Sequence, residues 1–330
     1  MNGELAKIRL DRIRSLAENC RLCPRRCGVN RTRGGTGACG AGRRAALFME
    51  YVHWAEDADL VPAQTLYLAG CNLGCRFCQT RAERNRLPEI ELTPALFRDI
   101  LARGREAGAA TVNVLGGEPT VNLPALLELF AETGDFPGLV WNTNLYGSSE
   151  AFELLAGVAD IFLGDLKFGN PGCAAGLAGA ADAGEVARER AEEIFARSPE
   201  ALIVRHLVLP GHFACCARPV LEWIGRRLPG VRVSLKTIYA PPPGLAPADG
   251  LNRFLPREEA GAALELAREI GLRLTRDAPP PLPAAPGTAS RPGSLPTVCE
   301  ALISPEGGIY LRHITREVFE AARAAAAPRD

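Results

Sequence analysis

Strand-like and helix-like segments alternate along most of this chain, and that alternation limits the fold more than any other feature of the sequence. Short runs rich in β-branched and aromatic residues predict strands at 65–70, 111–115, 139–142, 160–167, 202–209 and 231–236. Apolar residues at helical spacing predict intervening helices within 92–130, at 149–155, at 183–197 and through Leu221, Ile224 and Leu228. We therefore expect an α/β fold with a parallel sheet and right-handed crossovers. About six such units follow the first strand, too few for a closed eight-stranded barrel.

Composition and charge narrow the classes of function. The 330 residues are 47% hydrophobic and 23% charged, which is ordinary for a soluble globular protein. Because 38 Lys and Arg residues balance 38 Asp and Glu residues, no global field attracts a polyanion, and a nucleic-acid partner is not favoured. The first residues lack the apolar core of a signal peptide, and no later run is long enough to span a bilayer. We expect a cytoplasmic protein without membrane contact.

Three cysteines follow the first predicted strand in a Cys-x3-Cys-x2-Cys loop formed by Cys71, Cys75 and Cys78. A [4Fe-4S] cluster takes one thiolate per iron, so this loop can hold three irons and leaves one open to a ligand from outside the protein. Structural zinc is the alternative, but zinc takes four ligands and the nearest histidine, His53, precedes the strand. The loop lies at the carboxyl end of a strand, where active sites of parallel α/β folds occur.

With the aromatic Phe77 directly before its last cysteine, this loop resembles the signature of the radical S-adenosylmethionine (SAM) superfamily. The resemblance implies a partial (β/α)6 barrel of the TIM type. It also implies that SAM ligates the open iron and that a reduced cluster cleaves SAM to a 5′-deoxyadenosyl radical, which abstracts hydrogen from a substrate. A flavodoxin- or ferredoxin-type protein would supply the electron, and Phe77 would lie near the adenine.

Motifs at later strand ends extend the resemblance. Gly116-Gly117-Glu118 is by itself only a tight turn, but after a strand it resembles the family's Gly-Gly-Glu motif, which contacts the SAM amino group. Asp165-Leu166-Lys167 resembles the Asp-Leu-Lys motif of glycyl-radical-enzyme activating enzymes, although Asn142 stands where those enzymes carry an aspartate. The resemblance thus implies SAM contacts from Phe77, Gly116, Gly117, Glu118, Asn144, Asp165, Lys167 and Arg205.

A second cysteine set precedes the loop and consists of Cys20, Cys23, Cys27 and Cys39. Four thiolates can close a site for structural zinc or for an auxiliary iron-sulfur cluster, and the spacing does not choose between them. Cysteines without metal are the third alternative. In front of a radical SAM core, this pattern resembles a branch related to pyruvate formate-lyase activating enzymes. Activating enzymes with extra clusters carry the additional cysteines after the SAM-binding loop, so the position of this set departs from their pattern.

The sequence predicts that the chain is divided into three parts. We expect an N-terminal helix and cysteine-rich segment at 1–60, the partial barrel at 61–278, and a C-terminal extension at 279–330. In the extension, the sequence predicts a proline-rich linker at 279–296, a β-hairpin at 298–310 and an Ala-rich helix from Thr315. Structural roles are expected for Cys173, Cys215, Cys216 and Cys299, with a thiol on the substrate side as the alternative, and His206 is expected to be a packed histidine.

Three functions are compatible with these motifs. The first is a radical SAM enzyme that abstracts hydrogen from a substrate such as a glycine of a partner protein, as the resemblance to activating enzymes implies. The second is a radical SAM enzyme that modifies a small molecule or a peptide. The third is a non-enzymatic iron-sulfur protein that transfers electrons.

Overall fold

The computed structural model describes residues 2–54, 57–81, 89–242, 244–245, 250–276, 299–303 and 309–313, in which most strands belong to one nine-stranded sheet. The strands are β1 (Ala46–His53), β2 (Ala63–Leu68), β3 (Ile90–Glu91), β4 (Thr111–Gly116), β5 (Leu139–Thr143), β6 (Ile161–Asp165), β7 (Leu202–Leu207), β8 (Arg232–Lys236), β9 (Arg273–Leu274), β10 (Cys299–Ile303) and β11 (Ile309–His313). The helices are α1 (Asn2–Ile8), α2 (Leu10–Glu18), α3 (Pro94–Glu106), α4 (Leu123–Thr133), α5 (Ser149–Leu155), α6 (Pro171–Ala178), α7 (Ala183–Arg197), α8 (Arg218–Arg227) and α9 (Arg257–Ile270).

The sheet follows the order β3-β1-β2-β4-β5-β6-β7-β8-β9. Every neighbouring pair from β2 to β9 is parallel, which confirms the expected α/β fold. Within the described residues the two edge strands, β3 and β9, do not pair with each other, so the sheet is open and the barrel is partial. At one edge of the sheet, β1 pairs antiparallel with both β2 and β3. This antiparallel edge was not predicted. Through β1, the N-terminal part of the chain shares the barrel's sheet.

Alternation along the strands separates the two faces of the sheet. Val112 and Val114 of β4 belong to the main apolar core, together with Phe97 of α3 and Phe130 of α4. Successive side chains of a strand point to opposite faces, so Asn113 between the two valines lies on the inner face. The helices therefore cover the outer face, and the inner face is available for a site.

The inner face has an apolar layer and a polar layer. Val140 of β5, Leu163 of β6 and Ile203 of β7 pack together with Leu60 in a small buried cluster. Two residues further along the same three strands, the same face carries the polar side chains Asn142, Asp165 and Arg205. The apolar layer fills the interior, and the polar layer lies toward the carboxyl ends of the strands.

Most of the predicted elements lie where the sequence placed them, but helices α6 and α9 were missed. Helices α5 and α7 have the predicted bounds, and the six predicted strands lie within a few residues of their expected ends. Helix α6 was missed because its Ala- and Gly-rich sequence has no apolar periodicity; it begins after Asn170, whose side chain accepts a hydrogen bond from the backbone N–H of Cys173. Strands β10 and β11 form an antiparallel pair in the region of the hairpin predicted at 298–310. The predicted linker at 279–296 and the predicted helix from Thr315 lie outside the described residues.

Candidate functional site

The three-cysteine loop is held by hydrogen bonds from two other parts of the chain. The backbone N–H of Cys71 donates to the carbonyl of Cys39, at 2.9 Å. On its other side, the N–H groups of Gly74 and Arg76 donate to carbonyls in the last turn of α6, at 2.9 and 2.8 Å. The N-terminal segment and α6 thus clamp the loop from both sides.

The thiols of this loop lie in a poorly hydrated environment. Burial raises the pKa of Cys71 to about 12. Burial also raises the pKa of Cys75 to about 11, although the ammonium of Lys167 acts in the opposite direction. Such thiols stay neutral unless a cation favours the thiolate, as a metal does when it binds. The loop as a whole offers three soft donors, which fit an iron-sulfur cluster.

The glycines of the Gly-Gly-Glu motif allow two loops to meet. A Cβ atom on Gly116, which has a φ of +115°, would lie 2.2 Å from the backbone nitrogen of Leu68. A Cβ on Gly117 would lie 1.9 Å from the carbonyl oxygen of Gly70. The contact is also hydrogen-bonded, since Gly117 N–H donates to Leu68 O at 2.8 Å and Glu118 N–H donates to Gly70 O at 2.9 Å. The motif is therefore packed directly against the start of the cysteine loop.

The Glu118 carboxylate connects this motif to the end of β5. It is 1% exposed and accepts hydrogen bonds from the N–H of Thr120 at 3.0 Å, the hydroxyl of Thr143 at 2.6 Å and the N–H of Asn144 at 2.7 Å. Burial raises the pKa of Glu118, and these donors favour its charged form. In this structure Glu118 braces two strand ends, and its predicted contact with the SAM amino group stays a prediction.

Asn144 extends the brace to the cysteine loop. Its amide donates to the side-chain oxygen of Asn72 at 2.9 Å, and its own oxygen accepts from the N–H of Tyr146 at 2.8 Å. Asn72 in turn donates to the carbonyl of Tyr146 at 2.6 Å. Asn144 is used in this network, whereas Asn142, two residues earlier on β5, contacts Arg205 in the barrel.

Three charged side chains and one amide form a polar cluster at the carboxyl ends of β5, β6 and β7. Asp165 accepts from Lys167 Nζ and from Arg205 Nε, each at 2.5 Å, and Arg205 Nη2 donates to Asn142 Oδ1 at 2.6 Å. Burial raises the pKa of Asp165, but the two cations outweigh it and bring this pKa well below its usual range. The cluster carries two positive charges against one negative charge, which suits an anionic ligand group.

Buried amide groups next to this cluster have no partner. Asn142 is 5% exposed and Asn113 is fully buried, yet Asn142 Nδ2 and both polar atoms of the Asn113 side chain make no hydrogen bond within the described residues. Each such group costs about 1–3 kcal/mol when it stays unsatisfied. A polar ligand in the barrel would satisfy them, so the residues present fit a cofactor such as SAM.

Phe77 lies in a second apolar cluster under the cysteine loop. It is 5% exposed, and its ring meets that of Phe168 edge to face with centroids 6.1 Å apart. Leu73 and Tyr146 belong to the same cluster. Phe77 thus helps to anchor the loop, and its proximity to an adenine stays a prediction.

The N-terminal cysteines lie close to the loop. Cys20, Cys23 and Cys39 are buried and Cys27 is exposed. The buried guanidinium of Arg31 donates to Cys39 Sγ at 2.8 Å. A cleft of about 480 Å³ is lined by residues 38–42 and by Cys71, among others. These contacts place the N-terminal set beside the three-cysteine loop, while zinc or an auxiliary cluster in it stays a prediction.

His206 is a packed histidine, as predicted. It is 1% exposed, and its Nδ1 lies 2.6 Å from the carbonyl oxygen of Leu166. Burial lowers its pKa to about 4, so the imidazole is neutral near pH 7.

A further group of residues with metal-ligating side chains was missed by sequence reasoning. The ligand atoms of Cys173, His212, Cys215 and Cys216 all lie within 4.8 Å of one another. The adjacent pair Cys215-Cys216 with a histidine three residues before it was the available signal, but Cys173 is far away in sequence. The side chain of Cys299 lies outside the described residues.

The chain is similar to several known proteins. Residues 66–224 match the radical SAM superfamily. An uncharacterised protein of Methanocaldococcus jannaschii is 31% identical over 280 residues, which cover 83% of this chain and 81% of that protein. A radical SAM methyltransferase from Sphaerobacter thermophilus is similar with a TM-score of 0.47 and 20% identity over 65% of this chain and 66% of that one. SuiB of Streptococcus suis, solved with bound SAM, is similar with a TM-score of 0.44 and 16% sequence identity. The match covers 62% of this chain and 47% of that one.

A parallel α/β sheet with a three-cysteine loop at a strand end defines an iron-sulfur protein of the radical SAM type, and this chain belongs to the radical SAM superfamily. The family implies a [4Fe-4S] cluster and SAM as cofactors. Among the residues that the structure describes, none of the helices combines the length and apolarity needed to cross a membrane.

Proposed function

We propose that this protein holds a [4Fe-4S] cluster on Cys71, Cys75 and Cys78 and uses it to cleave SAM reductively, so that hydrogen is abstracted from a substrate. The bound cluster would supply the electron that splits SAM to the 5′-deoxyadenosyl radical. The protein's own residues would position SAM and exclude water from it.

One observation carries this proposal: three half-buried thiols lie at the carboxyl end of β2, and the interior of the barrel beside them holds Asn142 and Asn113, whose amides find no partner among the described residues. Asn142 Nδ2 and Asn113 are free to donate to a ligand in the barrel. The excess positive charge of Lys167 and Arg205 over Asp165 favours a carboxylate, such as that of the methionine moiety of SAM. Glu118 and Asn144 would act by keeping the strand ends and the cysteine loop together.

The test is SAM cleavage by anaerobically reconstituted protein with dithionite, followed by chromatography of 5′-deoxyadenosine. We expect Cys71→Ala, Cys75→Ala and Cys78→Ala to abolish the product, because each change removes one of three thiolate ligands. Cys299→Ala is the control, since Cys299 is more than 200 residues away from the three-cysteine loop in sequence, and it should retain activity. A Cys78→Ala protein that forms 5′-deoxyadenosine at the normal rate would refute the proposal and favour a non-enzymatic electron carrier.

For the substrate, we propose a glycine of a partner protein. The ion-paired Asp165-Leu166-Lys167 sequence supports this assignment, since it resembles the motif of glycyl-radical-enzyme activating enzymes. Incubation with candidate partners and SAM should produce a glycyl radical in the electron paramagnetic resonance spectrum. Steady formation of 5′-deoxyadenosine without any partner radical would contradict it.

A small molecule or a peptide is the second candidate substrate. It is favoured by the position of Cys20, Cys23, Cys27 and Cys39, which precede the three-cysteine loop and so depart from the arrangement of activating enzymes with extra clusters. Under this alternative, candidate small molecules or peptides stimulate 5′-deoxyadenosine formation and change in mass.

We also propose that the N-terminal set binds zinc or an auxiliary cluster, that a flavodoxin- or ferredoxin-type protein supplies the electron, and that the protein works in the cytoplasm. The support is the density of cysteines, which favours metal binding in a reducing compartment. Iron and zinc analysis of the Cys71→Ala/Cys75→Ala/Cys78→Ala protein, before and after further substitution of Cys20 and Cys23, tests the metal. Equal metal content in the two proteins would contradict it.

A further inference from the structure

Four metal-binding side chains converge next to the barrel, outside both cysteine sets discussed above. Cys173 lies in the first turn of α6, which follows β6. His212 follows β7, and Cys215 and Cys216 lie on a short π-helix, Phe213–Ala217. Because β6 and β7 are parallel neighbours, the segments after them leave the sheet at the same edge. This topology brings Cys173 to residues about forty positions away in sequence.

The distances between the ligand atoms fit a tetrahedral metal site. Zinc binds sulfur at about 2.3 Å and nitrogen at about 2.0–2.1 Å, so the edges of its tetrahedron are about 3.8 Å between two sulfurs and about 3.5 Å between sulfur and nitrogen. Here Cys173 Sγ lies 3.6 Å from Cys215 Sγ and 3.7 Å from His212 Nδ1, and His212 Nδ1 lies 3.3 Å from Cys215 Sγ. With Cys216 included, all the ligand atoms lie within 4.8 Å of one another. Cys173, His212 and Cys215 need to move by only a few tenths of an ångström to enclose an ion, and Cys216 by at most about 1 Å.

The surrounding backbone holds these side chains in place. The amide of Asn170 donates to Cys173 Sγ at 3.2 Å and to the carbonyl of Cys215 at 2.8 Å, and so links α6 to the π-helix. Gly169 permits the close approach, because a Cβ atom there would lie 2.6 Å from the carbonyl oxygen of Cys215. Hydrogen-bond donors to the ligand sulfur atoms, and further contacts that fix the orientation of the ligand side chains, are typical of metal sites in proteins. π-helical turns are rare and occur often at functional sites.

We propose that Cys173, His212, Cys215 and Cys216 bind one Zn²⁺ ion as a structural Cys3His site. Four protein ligands leave zinc no open position, which is the arrangement of structural rather than catalytic zinc. The ion connects α6 to the segment after β7, and the last turn of α6 supplies the carbonyls that hold Gly74 and Arg76 of the three-cysteine loop. The zinc site therefore braces the helix that positions the loop, and it does not depend on the substrate or on SAM cleavage.

The first test measures zinc in the full chain carrying Cys71→Ala, Cys75→Ala and Cys78→Ala, so that no cluster at the loop contributes metal. Cys173→Ser or Cys215→Ser added to this protein should remove about one equivalent of zinc per chain, because a tetrahedral site loses its affinity for zinc when one of its four protein ligands is removed. Cys299→Ser in the same protein should remove none. Zinc content that is unchanged by Cys173→Ser and Cys215→Ser would overturn the proposal.

A second measurement uses the unmutated chain and so does not depend on the folding of a variant. Under anaerobic conditions, N-ethylmaleimide should label Cys173 and Cys215 only after a zinc chelator has been added, as peptide mass spectrometry would report. Labelling that is as complete before the chelator as after it would overturn the proposal. A disulfide between Cys173 and Cys215 in anaerobically purified protein would overturn it as well.

Discussion

Gly117→Ala should separate the Gly-Gly-Glu motif from the cysteine loop. The added Cβ would lie 1.9 Å from the carbonyl oxygen of Gly70, and real Cβ atoms do not come within 3.0 Å of such a neighbour, so the two backbones must move apart by about 1.1 Å. The hydrogen bond from Glu118 N–H to Gly70 O would then lengthen from 2.9 Å to about 4.0 Å and be lost. Overpacking costs about 1–3 kcal/mol and a buried unpaired donor about 1–3 kcal/mol, so we expect a loss of about 4 kcal/mol.

Urea unfolding of the cluster-free protein measures this loss. With an m-value of about 3 kcal/mol/M, the midpoint should fall by about 1.3 M. Iron and sulfide content after reconstitution should fall too, because Cys71 directly follows the displaced carbonyl of Gly70. Gly261→Ala is the matched control: Gly261 lies in α9 with open space around its Cβ position, so alanine should stabilise the protein by about 0.5–1 kcal/mol. Wild-type midpoint and iron content in Gly117→Ala would refute the steric argument.

Two further predictions concern buried charge. Asp165→Asn leaves Lys167 and Arg205 without their shared carboxylate and should lower the free energy of unfolding by about 3 kcal/mol, measured by urea unfolding; a loss no larger than that of Glu153→Gln, which breaks an exposed ion pair, would contradict this. Burial lowers the pKa of His206 in the folded protein to about 4, against 6.5 for an exposed histidine. As the pH drops from 6.5 to 4, the unfolded chain is therefore protonated at this residue before the folded one is. The free energy of unfolding should fall over this range by about 1.4 kcal/mol per pH unit. His206→Gln should remove this slope, and parallel pH profiles for the two proteins would show the prediction to be wrong.

Several elements with a periodic pattern could be predicted from the sequence, although the amphipathic helix α9 was missed. Helix α7 combines buried positions such as Ala187, Ala191 and Ile194 on one face with charged residues elsewhere, and its bounds were predicted correctly. Strand β1 was missed although five of its residues are buried, because these five form one continuous buried run and so lack the alternation that marks a half-buried strand. Periodicity reports which face of a segment is buried and says nothing about the segment that buries it.

The candidate site divides in the same way. The spacing of Cys71, Cys75 and Cys78 within one loop is local, so the sequence alone indicated the superfamily and predicted the ligand set. The function of Glu118 as a brace was not visible, because its donors at Thr143 and Asn144 come from another strand end. The same holds for the contact of Arg205 with Asn142, which are 63 residues apart.

What the sequence by itself determined is therefore the alternating α/β architecture and the three thiolates of the loop, since both depend on residues that are neighbours along the chain. Only the tertiary structure decided which distant side chains meet: the polar cluster of the barrel, the two clamps on the cysteine loop, and the convergence of Cys173 with His212, Cys215 and Cys216. The physical reason is that strand order and loop geometry, which arise from packing of the whole chain, bring strand ends to one edge of the sheet.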